Sequence, residues 1–453
     1  MSNNLFDDFS SVSSKQWKQK IQFDLKGADY NDTLIWKTNE DIDIKPFYHA
    51  DNFDTLPNIS NTKATQWKIC QSIFVADIKK SNLKALDSIE RGAESIKFIL
   101  PSESISIENL IKHINLDATL LFFELQFLSE DYVKHIRKLV PNAKIDLDII
   151  GQLSKTGNWF KSLNDDFKSF ESIIKNTNSF SVNVSLSQNA GANMVQQLAY
   201  ALAHANEYLN VLEKTENNSP LLDVIFNASV GTNYFFEIAK LRALRKLWKV
   251  LASEYKVNTD CYIIVTPTKR NKTLYDYNTN MLRTTTECMS AILGGANMIV
   301  NLPYDSIYHK SNEFGERIAR NQLLVLKHES YFDKVNNPSD GAYYIESITN
   351  QLSEKALDVF KDIENNGGFL SQLKAGTIQR KVKESASKEQ QQFDNGEDVL
   401  LGSNKHPNTN DKMKKELELY PFVKINSRKT LIEPIIEKRL SEQLEQKRLK
   451  DEN

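Results

Sequence analysis

Apolar and polar stretches alternate regularly along the middle of the chain. From residue 67 onwards, short apolar segments of strand length are each followed by a polar segment of helix length. The apolar segments are continuous rather than alternating in polarity, which is typical of parallel strands buried on both faces. They occupy residues 67–75, 95–100, 118–126, 144–150, 180–186, 221–228, 261–266 and 297–302.

The segments between these strands have the length and periodicity of helices. Examples are residues 83–92, 131–140, 194–212 and 279–293. Eight strand–helix units in series favour an α/β fold of the (β/α)8 TIM barrel type. An open doubly wound sheet is the alternative, but no Gly-x-Gly-x-x-Gly turn follows any of the eight strands.

The helix after residue 231 has the clearest pattern. Thr232 or Asn233 can cap it. Apolar side chains then recur every three or four positions, which predicts a face packed on a core; they are Ile238, Leu241, Leu244, Trp248, Leu251 and Tyr255. Arg242, Arg245 and Lys249 form a second line, here called the basic stripe. It is either a solvated face or a contact with a partner or an anion.

The pattern divides the chain into three parts. Residues 1–62 are predicted to be an N-terminal arm, residues 63–335 the barrel, and residues 336–453 a C-terminal helical extension packed on the barrel. The arm is rich in aromatic residues and needs a surface to lie on, either its own barrel or a partner. In the extension, the charged segment 434–453 is predicted to be a helix.

Composition excludes several classes of function. Net charge is −2 over 453 residues, so nucleic acid is not an expected partner. Cys70, Cys261 and Cys288 are too far apart in sequence for a metal-binding motif and indicate reduced thiols. The first residues form neither a basic leader nor an apolar run, and no apolar stretch approaches the roughly 20 residues that span a bilayer. We therefore expect a cytoplasmic protein without membrane contact.

Chemistry in such a barrel is expected where the strands end. The predicted strand ends contain no histidine, no paired carboxylates and no nucleophile close to a base. Asp77 and Asp305 either function there or cap the next helix. Lys269 and Arg270, together with Arg283, either hold an anion or form a solvated rim.

Several ordered segments together resemble the methylmalonyl-CoA mutase family, in particular its small (β) subunits. The most specific match is Phe-Glu-Ile-Ala-Lys-Leu-Arg-Ala-Leu-Arg-Lys-Leu-Trp at residues 236–248. The other matching segments lie at residues 34–38, 44–48, 188–192, 282–287, 293–296, 317–321, 340–346 and 367–369.

The departures from that family are concentrated at its active site. Catalytic chains have a Tyr-His pair before the Gln-Glu-Ala-Gly-Ala motif, where this chain has Ser185 and Leu186. Residues 72–77 replace a Tyr-Ala-Gly-Phe segment, and residues 152–159 have no counterpart of the family's Thr-Ile-Gln-Asn motif and substrate-gripping arginine. The cobalt-ligating Asp-x-His motif is absent, and we expect the chain to stop before the cobalamin domain.

The resemblance implies a non-catalytic subunit of a heterodimer. Its large partner subunit would bind adenosylcobalamin and interconvert (R)-methylmalonyl-CoA and succinyl-CoA in propionate metabolism, with no catalytic, cofactor or metal residue expected in this chain. Two alternatives stay open. The barrel could bind or isomerise an acyl-CoA, holding its phosphate through Lys269, Arg270 and Arg283. It could also be a scaffold that docks a cobalamin-loading partner through the basic stripe.

Overall fold

The computed structural model describes residues 8–57, 60, 62–214, 219, 221–424 and 427–452. Its strands are β1 (Trp36–Lys37), β2 (Asp43–Ile44), β3 (Lys68–Phe74), β4 (Ser95–Leu100), β5 (Leu120–Leu125), β6 (Lys144–Asp146), β7 (Ser179–Asn183), β8 (Asp223–Val230), β9 (Cys261–Pro267) and β10 (Met298–Val300).

The α-helices, in chain order, are α1 (Ser14–Asp24), α2 (Tyr30–Leu34), α3 (Ile78–Glu90), α4 (Ile107–Leu110), α5 (Glu130–Leu139), α6 (Ile149–Thr156), α7 (Leu163–Thr177), α8 (Ser185–Asn189), α9 (Met194–Lys214), α10 (Tyr234–Glu254), α11 (Thr279–Leu293), α12 (Glu313–Leu324), α13 (Tyr343–Asn365), α14 (Phe369–Lys374), α15 (Thr377–Asp394) and α16 (Glu442–Asp451). Short 3-10 turns cover Ala50–Asn52 and Ala64–Gln66, and a π-helical turn covers Val325–Glu329.

Strands β3 to β10 form one parallel sheet that curls into a nearly closed barrel. Its strand order is β6-β5-β4-β3-β10-β9-β8-β7, so the first and last barrel strands, β3 and β10, pair side by side. The predicted (β/α)8 fold is confirmed, and the alternative of an open doubly wound sheet is wrong. Helices that follow the strands cover the outer face of the sheet, as the continuous apolar segments indicated.

The two ends of the sheet meet between β6 and β7, a place that we call the seam. Side-chain contacts, rather than a ladder of backbone hydrogen bonds, join them there. Within the described residues, no strand pairing links β6 to β7. Instead, Asp148 accepts a hydrogen bond from the backbone N–H of Asn183 at 2.7 Å, and the hydroxyl of Ser181 donates to the carbonyl of Ile145 at 3.4 Å. Lys144 pairs with Asp223 of β8 at 3.0 Å. These contacts take the place of ladder bonds next to the very short strand β6.

The same region explains two strand predictions that were too long. The segment 144–150 ends as a strand at residue 146, because the Asp148 carboxylate accepts the N–H of Gly151 at 2.7 Å and begins α6. The segment 180–186 ends at Asn183, whose side-chain oxygen accepts the N–H of Leu186 at 3.3 Å within α8. By contrast, β4 and α11 have the predicted bounds.

An apolar layer closes the lower part of the barrel. It is formed by inward-facing side chains, namely Cys70, Phe122, Ile225, Ile264, Met298 and Val300, against which Leu120 and Tyr262 pack. Burial raises the pKa of the Cys70 thiol to about 12, so this cysteine stays protonated and behaves as an apolar side chain. Any opening into the barrel must therefore lie at the carboxyl ends of the strands.

Helix α10 packs on the core as its pattern predicted. Ile238, Leu241 and Trp248 are almost fully buried. Asn233 occupies the capping position but makes no side-chain capping bond. Glu237 within the helix reaches back and accepts the N–H of Gly231 at 2.7 Å, which ties the preceding loop to the first turn.

The basic stripe on α10 does not face solvent as a unit. Arg242 is buried and pairs with Glu346 of α13 at 2.6 Å, with Asp340 nearby at 3.2 Å. The guanidinium of Arg245 donates to the carbonyl of Cys261 at 2.8 Å. Among the three, Lys249 alone is exposed. Packing of α13 and of the neighbouring strand ends against α10 is the physical reason for this difference from a solvated face.

The C-terminal tail also differs from its prediction. Residue 453 lies outside the described residues, and the helix predicted over 434–453 begins only at Glu442. The preceding segment lies along the carboxyl-terminal rim of the barrel. Its backbone N–H groups donate to carbonyls of the barrel rather than within a helix. Ile435 donates to the carbonyl of Ser154 at 2.8 Å, and Leu440 donates to that of Arg270 at 2.9 Å. These external bonds replace the intrahelical ones that the charge pattern suggested.

The N-terminal arm packs into the core through Ile42 and Ile44, whereas its first helix does not. Strands β1 and β2 form a short antiparallel hairpin. Within residues 14–24, α1 buries none of its side chains, and Trp17 touches the ring of Phe47 while staying 55% exposed. The predicted boundaries at residues 62 and 335 stay predictions.

The ion pair between Arg242 and Glu346 generates a test of how the extension is held. Replacing Arg242 with methionine leaves the buried Glu346 without its counter-charge, so the free energy of unfolding in urea should fall by about 3–5 kcal/mol. The exposed Lys249, changed to methionine, serves as the matched control and should shift it by less than about 0.5 kcal/mol. Equal values for the two variants would contradict this account of the contact.

Candidate active site

A large cavity opens at the carboxyl ends of the barrel strands and is called here the mouth cavity. Its volume is about 1510 Å³. Residues from the ends of β3, β4, β8 and β10 line it, including Phe74, Ile99, Ser229 and Val300. This is the position at which barrel enzymes of this fold carry out their chemistry. The apolar layer below it leaves a pocket that is open at one end.

A charged cluster forms the floor of the mouth cavity. The ammonium of Lys97, on β4, lies 2.7 Å from Asp146 of β6 and 2.9 Å from Glu124 of β5. The side-chain amide of Asn227, on β8, donates to the other oxygen of Asp146 at 2.9 Å. All four residues occupy inward-facing positions, so the cluster joins four strands across the interior.

The cluster keeps its charges despite burial. Burial alone would lower the pKa of Lys97, but the carboxylates of Asp146 and Glu124 outweigh it and leave that pKa raised. The pKa of Glu124 is lowered, mainly by Lys97 and further by Lys155 and Lys269. A protonated lysine and an ionised glutamate therefore face each other at neutral pH.

An Asp–His pair lies on the rim of the same cavity. Asp305, which is 2% exposed, contacts Nδ1 of His309 at 3.1 Å and accepts the side-chain amide of Asn312 at 2.8 Å. A carboxylate on Nδ1 fixes the orientation of an imidazole, which is how general bases are held. Asp305 thus does not cap a helix, whereas Asp77 does, because it accepts the N–H of Lys80 at 2.8 Å.

The predicted strand ends included Asp305 but not Glu124, Asp146 or His309, for identifiable reasons. Glu124 and Asp146 lie within strands rather than after them, and His309 comes nine positions beyond β10. The one available signal was charge within apolar runs, since Lys97 and Glu124 each interrupt an otherwise apolar segment. Charged residues at inward-facing strand positions thus contribute to the site as the loop residues do.

Ser185 and Leu186, which the resemblance matches to the family's Tyr-His pair, are separated by the fold. The hydroxyl of Ser185 donates to the carbonyl of Asn227 at 3.1 Å and lines the mouth cavity. Leu186 is 4% exposed and belongs to the apolar core; it does not appear among the described residues around the mouth cavity. The side chain of Leu186 has no group that could transfer a proton.

The three basic residues considered for anion binding are not brought together. Lys269 is exposed and lines the mouth cavity. Arg270 instead pairs with Glu389 of α15 at 2.5 Å, and Arg283 donates to Asn280 at 2.8 Å. Their role as partner or anion contacts stays a prediction, and the geometry favours it only for Lys269.

The motifs that carry the family resemblance contact one another inside the protein. Gln188 donates to Glu237 at 3.0 Å and accepts from Lys240 at 2.9 Å. Lys240 also lies 2.5 Å from Glu237, and burial lowers the pKa of Lys240. These contacts link α8 to the start of α10.

Comparison with known proteins identifies the family of the chain. The family model described as methylmalonyl-CoA mutase matches residues 113–450, which is most of the chain. The chain belongs to the methylmalonyl-CoA mutase family. The resemblance read from the motifs is confirmed by this match.

Two relatives show the extent of the similarity to methylmalonyl-CoA mutases. A protein named methylmalonyl-CoA mutase small subunit from Porphyromonas gingivalis is 35% identical over 447 residues, covering 89% of this chain and 71% of that protein. A methylmalonyl-CoA mutase from Cereibacter sphaeroides is 29% identical over 457 residues, covering 86% of this chain and 64% of that protein. The chain thus spans about two thirds of the length of these mutases.

Solved structures add little to this comparison. A dihydropteroate synthase from Thermus thermophilus aligns with a TM-score of 0.33 at 12% identity, covering 60% of this chain and 98% of that one. That score is too low to support an argument about function. None of the described helices of this mutase-family chain combines the length and apolarity needed to cross a membrane.

Lys97 gives a test of the charged floor. Replacing it with methionine leaves Asp146 and Glu124 without their cation, so the free energy of unfolding at pH 7 should fall by about 2–3 kcal/mol, since the cavity admits some water. The Lys249→Met variant is the control.

The pH dependence of stability provides a second measurement on the same variant. Because the folded pKa of Glu124 is lowered, its contribution is present above the ordinary carboxyl pKa and is lost as the pH falls. Removing Lys97 removes that shift, so urea unfolding between about pH 5 and pH 3 should depend less steeply on pH than in the wild type. Identical slopes would count against an ionised pair in the floor.

Proposed function

We propose that this chain is the small, non-catalytic subunit of a heterodimeric methylmalonyl-CoA mutase in the cytoplasm. Its partner, a large subunit, interconverts (R)-methylmalonyl-CoA and succinyl-CoA with adenosylcobalamin. The small subunit supports and stabilises that partner through a large interface. The similarity to a protein named small subunit, over 89% of this chain, supports the proposal.

The observation that carries the non-catalytic part is the pair Ser185 and Leu186. They stand where the resemblance places the Tyr-His pair of catalytic chains. Leu186 packs in the core and has no group that donates a hydrogen bond to a thioester or moves a proton. His309 does not replace it, because it lies on the loop after β10 rather than on α8.

The chain lacks the Asp-x-His motif by which the resemblance implies that cobalt is ligated. His309, the one histidine on the described lining of the mouth cavity, belongs to no such motif. We therefore assign the cofactor to the large subunit.

The arm supplies a surface for a partner. Trp17 is 55% and Phe23 is 78% exposed on α1. Aromatic side chains on a weakly attached helix are typical anchors of protein interfaces. We assign α1 to the interface with the large subunit.

The alternative of an acyl-CoA-binding barrel has less support. It needed Lys269, Arg270 and Arg283 to hold a phosphate together. Glu389 and Asn280 already occupy the two guanidinium groups. The geometry therefore favours the role of a supporting subunit.

The decisive experiment compares this chain alone with the chain co-expressed with a large subunit. We expect a stable complex of one chain of each kind, with mutase turnover only in the complex. Mass determination after co-purification checks assembly, and conversion of methylmalonyl-CoA with added adenosylcobalamin checks activity. Turnover by this chain alone would reject the proposal.

The arm can be tested separately. Changing both Trp17 and Phe23 to aspartate should weaken binding of the large subunit by at least about 30-fold, because two aromatic anchors are lost. Val250→Asp, on the exposed face of α10, is the control at 54% exposure. The melting temperature of the isolated chain should stay unchanged in both variants. Wild-type affinity of the double variant would remove α1 from the interface.

A further inference from the structure

The acidic and basic side chains around the mouth cavity differ in whether they have a partner within the protein. Every carboxylate on the described lining has a donor from the chain itself. Glu124 and Asp146 pair with Lys97, and Asp305 pairs with His309. An entering cation would have to displace these internal donors.

Four lysines on the described lining have no such carboxylate partner, namely Lys80 on α3, Lys155, Lys269 and Lys310 after β10. Lys155 projects from the last turn of α6, and Lys269 follows β9; both are exposed. Among the described residues, neither ammonium has a carboxylate within 4 Å. An entering anion would therefore gain charge-assisted hydrogen bonds without breaking any.

Their placement makes Lys155 and Lys269 a pair. Both contribute to lowering the pKa of Glu124, after the larger effect of Lys97. Both line the mouth cavity together with Glu124, one on the β6–α6 side of the mouth and the other on the β9 side. Their charges add at the centre of a cavity with low-dielectric walls, which concentrates the field there.

The opposite wall carries an apolar patch among its polar residues. Phe74, at the end of β3, is 53% exposed although it lines a cavity. Ile99 and Leu302 continue this surface. A cavity of about 1510 Å³ has room for more than a bare inorganic ion. Its occupant should have an apolar part as well as a charge.

We propose that the mouth cavity binds an organic anion, with its phosphate or carboxylate group between Lys155 and Lys269 and its apolar part against Phe74. The site is reached from the carboxyl-terminal side alone, because the apolar layer closes the barrel below. The inference does not rest on the proposed subunit function, since it uses only the charges and walls of this chain.

Calorimetric titration of the full chain tests it with hexyl phosphate, heptanoate, inorganic phosphate and hexanol at one ionic strength. Hexyl phosphate or heptanoate should bind saturably with one site. Each effective anion should bind at least about tenfold more tightly than inorganic phosphate or hexanol. Comparing the two organic anions distinguishes a phosphate from a carboxylate ligand.

Variants assign the site. The double change Lys155→Gln and Lys269→Gln should weaken the organic anion by about tenfold or more, and Phe74→Ser should weaken it while leaving inorganic phosphate unchanged. Lys249→Gln, outside the cavity, should bind as the wild type does. If the double variant melts at a lower temperature, each single lysine variant replaces it.

Three results would overturn the inference. They are no saturable binding of either organic anion at about 5 mM, a weak but ordinary affinity for a metabolite; equal binding of hexanol; or wild-type affinity in the lysine variants. None of them bears on assembly with a large subunit, which is measured by co-purification. Failure here and failure of the proposed function can therefore be told apart.

Discussion

The pairing of buried charge inside the barrel is the constraint on which the rest of the structure depends. A lysine and two carboxylates cannot leave water without close partners, because an unpaired charge in this interior is strongly unfavourable. Lys97, Glu124 and Asp146 meet that requirement together and so fix three neighbouring strands. Through Asn227 the same cluster reaches across to β8, beyond the seam that lacks a ladder. Charge pairing thus contributes to barrel closure where backbone pairing stops.

A second consequence concerns what a family motif records. The segments by which this chain resembles methylmalonyl-CoA mutases are largely buried contacts between elements, as with Gln188 and Lys240, or Arg242 and Glu346. The positions at which the resemblance places the chemistry of catalytic chains, Ser185 and Leu186, are ones that differ. A motif match therefore indicates a shared scaffold here, while the activity has to be argued from the site itself.

The sequence was a good guide where packing alone decides structure. Continuous apolar runs located all eight barrel strands, because burial on both faces leaves little room for polar residues. It was a poor guide where one polar side chain decides, as at Asp148, which turns the predicted strand 144–150 into a helix start. The solvated-face alternative for the basic stripe does not hold at Arg242 for a related reason: periodicity cannot show that α13 covers that side chain. Floor residues such as Glu124 were hidden because they lie inside strands rather than at their ends.

The closed lower end of the barrel determines how a ligand can enter and leave. A pocket with one opening has no separate exit, so whatever enters must return along the path by which it came. If a protein partner bound over that opening, a ligand already inside could not dissociate. No further ligand could enter until the two proteins separated. Ligand exchange and binding of that partner could then not occur at the same time.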